Sequence, residues 1–334
     1  MKILYIPPVI KIKERGFKNK LKCFLYDNYI VLKNFFYFKK STKNTSGYID
    51  SALHSNAYTF ELPYNYCLFF SKILNIIFDG IFINWKFTNL RNDPNLKLKL
   101  IKLSQNFKIK KIIVDTRDTG NNIIESDILN KFDHVIKREK NISITNKKYL
   151  TTMLPCSLID YKISKKKEEI NWNKIGKSKP NNKYKYDVFF SGSQTSKDRI
   201  NLIEFLKNKN FNFYGILENK RIPYKEFLDT IYNSSINLAP AGIGEFTFRH
   251  LEILSNCSFM MCEKSINQIE LPIPLKDGDH FITYEDKEDL LEKINYYLIN
   301  KELRLRIALN GRKVLEEYYS PKKHGETILK NIFC

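Results

Sequence analysis

The sequence predicts an α/β protein of two Rossmann-like domains, on three observations. Strand-like and helix-like segments alternate through both halves, which is the pattern of a parallel sheet with crossover helices. A polar, highly charged stretch at 161–185, containing Pro180, separates the halves as a solvated connector. The 334 residues are enough for two domains. The expected division is an N-terminal domain over 1–160, the connector, a second domain over 186–320 and a tail over 321–334.

In the first half, Lys2 to Ile6 reads as an opening strand, Cys67 to Ile77 as a helix, Gly80 to Trp85 as a strand and Asn95 to Asn106 as a helix. Lys111 to Asp115 is a further buried strand, followed by a helical stretch and a short strand at His134 to Arg138. Residues 10–60, rich in Lys, Asn, Ser and Tyr, carry no readable periodicity. The second half restarts with a strand at Tyr186 to Ser191, a helix from Lys197 to Asn208, a strand at Asn212 to Tyr214, a helix from Tyr224 to Asn233 and a strand at Ser235 to Leu238. Phe259 to Cys262 is a buried strand, His280 to Tyr284 a short edge, and Lys287 to Ile299 and Lys301 to Tyr318 are terminal helices.

Composition narrows the setting. Hydrophobic residues make up 43% and aromatics 14%, enough for two cores, so a disordered chain is excluded. The formal charge of +20 predicts a surface that attracts anions, although Lys and Asn are abundant throughout. No RNA-recognition, zinc-finger or helix-turn-helix signature accompanies that charge, so nucleic acid is not the expected partner. The six cysteines lack C-x-x-C spacing, and most read as small apolar core residues of a reducing compartment. The apolar start MKILYI is too short for a signal peptide, and Lys72, Asn75, Asp79 and Asn84 interrupt the apolar run from Cys67 to Trp85. The expectation is a cytoplasmic protein, peripheral at the inner face of an anionic membrane.

The most informative stretch is LAPAGIGEFTFRHLEILSNCSFMMCE, residues 238–263. Pro240, Gly242 and Gly244 break regular structure ahead of a helix whose free N–H groups and dipole favour a phosphate. Glu245, Arg249 and Glu252 are placed at i, i+4 and i+7, on one helical face, where carboxylates and an Arg could grip ribose and phosphate. An Arg–Glu pair on a solvated face is the plainer alternative. The turn Ser191-Gly192-Ser193 ends the first strand of the second domain, where open α/β sheets bind ligands, with Lys197 or Arg199 to supply charge; a structural turn explains it equally well.

In the first domain DTRDTG, residues 115–120, follows a buried strand directly, so Asp115, Arg117 and Asp118 should emerge at the sheet's C-terminal edge. Asp115 or Asp118 could take a proton from an acceptor hydroxyl or act as a nucleophile; a turn capping the next helix is the alternative. His250, beside Arg249, could bind phosphate or act as an acid, though a packing His is the more frequent case. Asp277-Gly278-Asp279 reads as a surface turn rather than a metal-binding pair, so no metal and no cofactor are expected.

The segments DVFFSGSQTSKDRINLIEFL, SSINLAPAG, FRHLEILSNCSFMMCE and HFITYEDKEDLLEKINYYLINKELRLRIALNGRKVLEEY together resemble the C-terminal domain of the GT-B glycosyltransferases, in the group 1 branch that includes CgeB-like proteins. The resemblance covers about residues 184–320. It implies two Rossmann-like domains facing across a cleft, a nucleotide-sugar donor, and a glycan or lipid-linked acceptor in cell-surface polysaccharide synthesis. It places donor phosphate at Arg249, ribose at Glu252, and the base near Tyr214, Gly215, Pro223 and Tyr224. Two departures stand out. Six residues, not the family's seven, separate Glu245 from Glu252, and Asn256-Cys257-Ser258 lacks the family's Gly in the turn. The DTRDT segment and the departure in Glu spacing leave room for a CMP-ulosonic acid donor of Kdo type. The rival from another class is a non-catalytic protein that binds nucleotide or polyanion.

Overall fold

The computed structural model describes residues 1–6, 47–85, 95–117, 123–159, 170–193, 197–217 and 222–334. The N-terminal half builds strands β1 (Lys2–Ile6), β2 (Tyr58–Glu61), β3 (Gly80–Asn84), β4 (Lys110–Asp115) and β5 (His134–Lys137). Between them lie helices α1 (Gly47–Asn56), α2 (Tyr64–Phe69), α3 (Ser71–Ile77), α4 (Leu96–Asn106) and α5 (Ser126–Leu129), and after them the two-residue β6 (Lys140–Asn141) and β7 (Tyr149–Thr151). Six strands pair in the order β2-β1-β3-β4-β5-β7, all parallel. β3, GIFIN, is buried along its whole length, as a strand covered by helices on both faces must be. Each apolar side chain so placed contributes roughly 1.5–3 kcal/mol.

The second half contains β8 (Tyr186–Gly192), α6 (Lys197–Lys207), β9 (Phe213–Leu217), α7 (Tyr224–Tyr232), β10 (Ser234–Ala239), α8 (Phe248–Ser255) and β11 (Met260–Glu263). Then come β12 (Ile269–Glu270), β13 (Ile282–Tyr284), α9 (Lys287–Ile299), α10 (Lys301–Tyr318) and α11 (Pro321–Phe333). Its five strands are again all parallel, in the order β13-β11-β10-β8-β9.

Several expectations are corrected. The helix predicted from Cys67 to Ile77 is two helices, because Phe70 leaves helical geometry at φ −94°, ψ 11°. The unreadable region 10–60 ends in α1 and in the edge strand β2; its residues 10–46 lie outside the described residues. Of the connector, Trp172–Lys174 forms a 3-10 turn held by the buried Arg312 rather than running through solvent. The expected tail is α11. It starts at Pro321 behind Ser320, whose hydroxyl accepts the N–H of Lys323 at 3.3 Å. Its Ile328, Leu329 and Ile332 join the core formed by β1 and α1. Gly325 permits that docking, since a Cβ there would stand 2.2 Å from the Ala52 carbonyl oxygen.

The chain therefore returns to the N-terminal domain, and further contacts hold the halves together. β12 pairs antiparallel with β6. The Tyr319 hydroxyl accepts the Cys156 N–H and donates to the Leu154 carbonyl, both at 2.7 Å.

Candidate active site

Three pieces of the second domain meet at the C-terminal edge of its sheet: the turn after β8, the start of α6, and the loop 240–247 between β10 and α8. Arg199 on α6 ties them together. Its Nη1 donates to the Ser193 carbonyl at 3.1 Å, and its Nη2 to the carbonyls of Pro240 at 3.1 Å and Ala241 at 2.6 Å. Gly242 is small for this reason, because a Cβ there would lie 3.3 Å from Arg199 Nη2. Gly192 and Ser193 are thus positioned by a cation that also charges the site.

Arg249 sits in the first turn of α8 with its guanidinium 4.8 Å from the Phe227 ring centroid and 5.6 Å from that of Phe190. It is ion-paired with Glu252 at 3.8 Å, one turn away. Burial pushes its pKa down to about 10, which leaves it charged at neutral pH. Nε and Nη1 are buried and make no hydrogen bond. A buried donor left unmade costs about 1–3 kcal/mol, and the cost is removed when an anion supplies the acceptor. Glu252 is oriented from elsewhere: its Oε1 accepts from Ser157 Oγ at 2.8 Å and from the Tyr224 hydroxyl at 3.3 Å. Ser157 comes from the segment leaving the first domain, and nothing in the sequence marks it.

The predicted face of Glu245, Arg249 and Glu252 is corrected in one member. α8 begins at Phe248, so Glu245 belongs to the preceding loop, and Arg249 and Glu252 form an i, i+3 pair. Tyr214 is half-buried and stacks on Tyr186 at 4.7 Å and on the core ring of Phe189 at 5.7 Å. In the turn Asn256-Cys257-Ser258, which lacks the family's Gly, Cys257 takes the left-handed conformation, φ 51°.

His250 is fully buried and stacks on Phe246 at 4.9 Å. Its Nδ1 accepts the Thr247 N–H at 3.1 Å, closing a capping box at the start of α8. Burial drives its pKa down to about 3, so at neutral pH it has no imidazolium proton to give as an acid. An unfolded His titrates near 6.5. Below that pH the unfolded chain takes up a proton the native state refuses, so stability present above pH 6.5 is lost as pH falls towards 3. The expected loss is about 1.4 kcal/mol per pH unit within that window. His250→Gln keeps a side-chain acceptor for the Thr247 N–H, and urea unfolding at several pH values should show a flatter acid limb.

The first domain presents Asp115 at the end of β4, with no exposed surface. Its Oδ1 accepts from the N–H and Nε of Arg117 at 3.1 and 2.8 Å, and its Oδ2 from Arg117 Nη2 at 2.9 Å and Lys137 Nζ at 3.3 Å. Burial raises its pKa, but Arg117 and Lys137 outweigh that and hold the carboxyl below its usual value. Arg117 in turn lies 4.3 Å over the Trp85 ring. Asp115 is therefore the anchor of an ion cluster, with no free lone pair for a hydroxyl proton. Asp118 lies outside the described residues. The next strand supplies residues the sequence reading passed over: Arg138 Nη2 donates to Glu139 Oε1 at 2.6 Å, and Glu139 Oε2 accepts the Glu245 N–H at 3.3 Å. That last bond joins the C-terminal edges of the two sheets. It puts Asp115, Lys137, Arg138 and Glu139 on one side of a junction and Glu245, Arg249 and Glu252 on the other.

Comparison with known proteins now bears on this geometry. Residues 197–330, which hold Arg199, the loop 240–247 and α8, match the family described as Glycosyl transferase-like. That match lies in the second domain, and the two parallel sheets together make a fold of GT-B type. No curated protein matches it. Among solved structures, Anabaena Alr3699/HepE in complex with UDP aligns over 99% of this chain and 99% of its own, at 11% identity and TM-score 0.50. Sucrose-phosphate synthase from Thermosynechococcus elongatus aligns over 98% and 97%, at 9% identity and TM-score 0.48. T4 phage BGT, in complex with UDP-glucose, aligns over 100% and 99%, at 12% identity and TM-score 0.44. At such identity the Anabaena likeness speaks for the two-domain fold alone; the arrangement of the site rests on this chain's own residues.

Proposed function

We propose that the protein is a glycosyltransferase that moves a sugar from a nucleoside-diphosphate donor to a hydroxyl of a glycan or lipid-linked acceptor in cell-surface polysaccharide synthesis, without a metal, at an anionic membrane surface. The observation that carries the donor assignment is Arg249, a half-buried guanidinium whose buried Nε and Nη1 make no hydrogen bond, beside a Gly-rich loop. In transfer the bond from the anomeric carbon to the diphosphate oxygen breaks, and the electron pair leaves with that oxygen. Arg249 and Arg199 stabilise the departing charge, as preorganised cations do in a water-poor site. Glu252, steadied by Ser157 and Tyr224, is the acceptor for ribose hydroxyls. The acceptor oxygen bonds to the anomeric carbon and gives up its proton to a carboxylate at the junction. Glu245, with a buried Oε2 that no donor reaches, suits that task better than Asp115.

The test is thermal unfolding of the wild type and Arg249→Ala with UDP, GDP, ADP, TDP and CMP. One nucleotide is expected to stabilise the wild type by about 2.7 kcal/mol at roughly 100 times its Kd, and the variant not at all. The uridine nucleotide named with the Anabaena protein is the first to try, and a response to CMP would point to an ulosonic acid donor. Stabilisation by none of the five would remove the donor-site reading.

A further inference from the structure

We infer that α2 and α3 form a docking surface for an anionic lipid bilayer. The pair buries Cys67 and Leu74 against the sheet, yet the outward side is also apolar: Phe69 is 82% exposed, Phe70 41%, Ile73 56%, Ile76 85% and Ile77 44%. A helix on the surface of a globular protein ordinarily turns charged and polar residues outward. Five large apolar side chains side by side, two of them rings in edge contact at 4.8 Å, are the mark of an interaction site.

Charge decides what covers it. Residues 64–78 and 95–111 contain seven Lys and no Asp or Glu, and of the seven Lys97 is ion-paired with Glu125 and Asp127. Asn75 of α3 donates to the Asn106 carbonyl and accepts the Lys108 N–H, both at 2.8 Å, so the basic end of α4 is fixed beside the patch. Lys72, Lys102 and Lys108 are exposed there. An apolar face flanked by the exposed Lys72, Lys102 and Lys108 is complementary to anionic headgroups over acyl chains. The helices are too short to span, and no helix among the described residues is long and apolar enough to cross a membrane. They would lie in the interface. This surface belongs to the domain opposite the donor loop, so docking would bring that domain to a lipid-linked acceptor. The inference rests on the proposed transfer reaction for that purpose alone, because docking needs no nucleotide.

The experiment is co-sedimentation of the full chain with phosphatidylcholine vesicles, with and without about one third phosphatidylglycerol. A triple variant, Phe69→Ser, Ile73→Ser and Ile76→Ser, is compared with the wild type. All three side chains point to solvent, so the thermal midpoint and any nucleotide-induced shift should be unchanged. The wild type is expected to bind the anionic vesicles, and the triple variant at least about 10-fold less. Wild-type protein left in the supernatant, or a triple variant that still pellets, would overturn the proposal. So would a concentration-dependent dimer that the triple variant abolishes while vesicle binding is absent, since the face would then bind a second copy. Loss of the nucleotide response with vesicle binding intact would strike the donor reading and leave this one standing.

Discussion

Asp115→Asn is expected to lower the free energy of unfolding by about 3–5 kcal/mol. The carboxylate has no exposed surface and is the partner of Lys137, whose side chain is equally buried. An amide keeps the shape but removes the charge, leaving an ammonium in a low-dielectric site with no counter-ion from this position. The Arg117 fork loses its second acceptor and its hold over Trp85. Urea unfolding measures the loss, and Lys137→Met made on the Asp115→Asn background should restore much of it, because removing both partners of a buried pair is far milder than removing one. A variant of unchanged stability and lost transfer would instead return Asp115 to a direct chemical role.

Arg312→Ala is expected to cost a similar amount, about 3–5 kcal/mol. Arg312 is 1% exposed. Nη1 donates to the carbonyls of Ile175 at 2.8 Å and Ser255 at 2.5 Å, Nη2 to that of Trp172 at 2.7 Å, and Nε to Glu316 at 2.7 Å. Its guanidinium also faces the Trp172 ring at 5.0 Å. Alanine takes a donor from three carbonyls, of which Trp172 keeps the Ile175 N–H and Ser255 the Lys177 N–H, and leaves a cavity where the guanidinium stood. Lysine should not rescue it, since one ammonium cannot reproduce a planar fork reaching four acceptors. Ser255 ends α8, so the loss should also weaken the nucleotide response through Arg249 and Glu252. Gly311 shows how closely this face is packed, because a Cβ there would meet Leu254 Cδ2 at 2.6 Å and the His280 carbonyl oxygen at 2.7 Å.

The parts legible in the sequence are those whose physics is local. β3, β4, β8 and β10 are short apolar runs between breakers, and α9 and α10 carry their own period, so they were placed to within a residue or so. α1 was not readable. Half of GYIDSALHSN is polar; Ile49, Ala52 and Leu53 find their cover on α11, and Tyr48 on Tyr319 and His324, far away in the chain. The site divides in the same way. Arg249 and Glu252 were visible because their spacing along α8 brings them together. Glu139 was not, since KREK reads as a solvated charge run and its partner, the Glu245 N–H, lies 106 residues on. Ser157 was missed for the same reason.

By itself, then, the sequence determined two parallel sheets, the Gly-rich loop and the basic residues around it, because strand burial, turn chemistry and helical spacing act over a few residues. Tertiary structure alone decided which of these groups are free to act. Asp115 is neutralised by two cations, one of them from the next strand, His250 is spent on a capping box and discharged by burial, and Arg249 keeps two donors unmade. Those outcomes depend on what the fold packs against each side chain, which no spacing along the chain encodes.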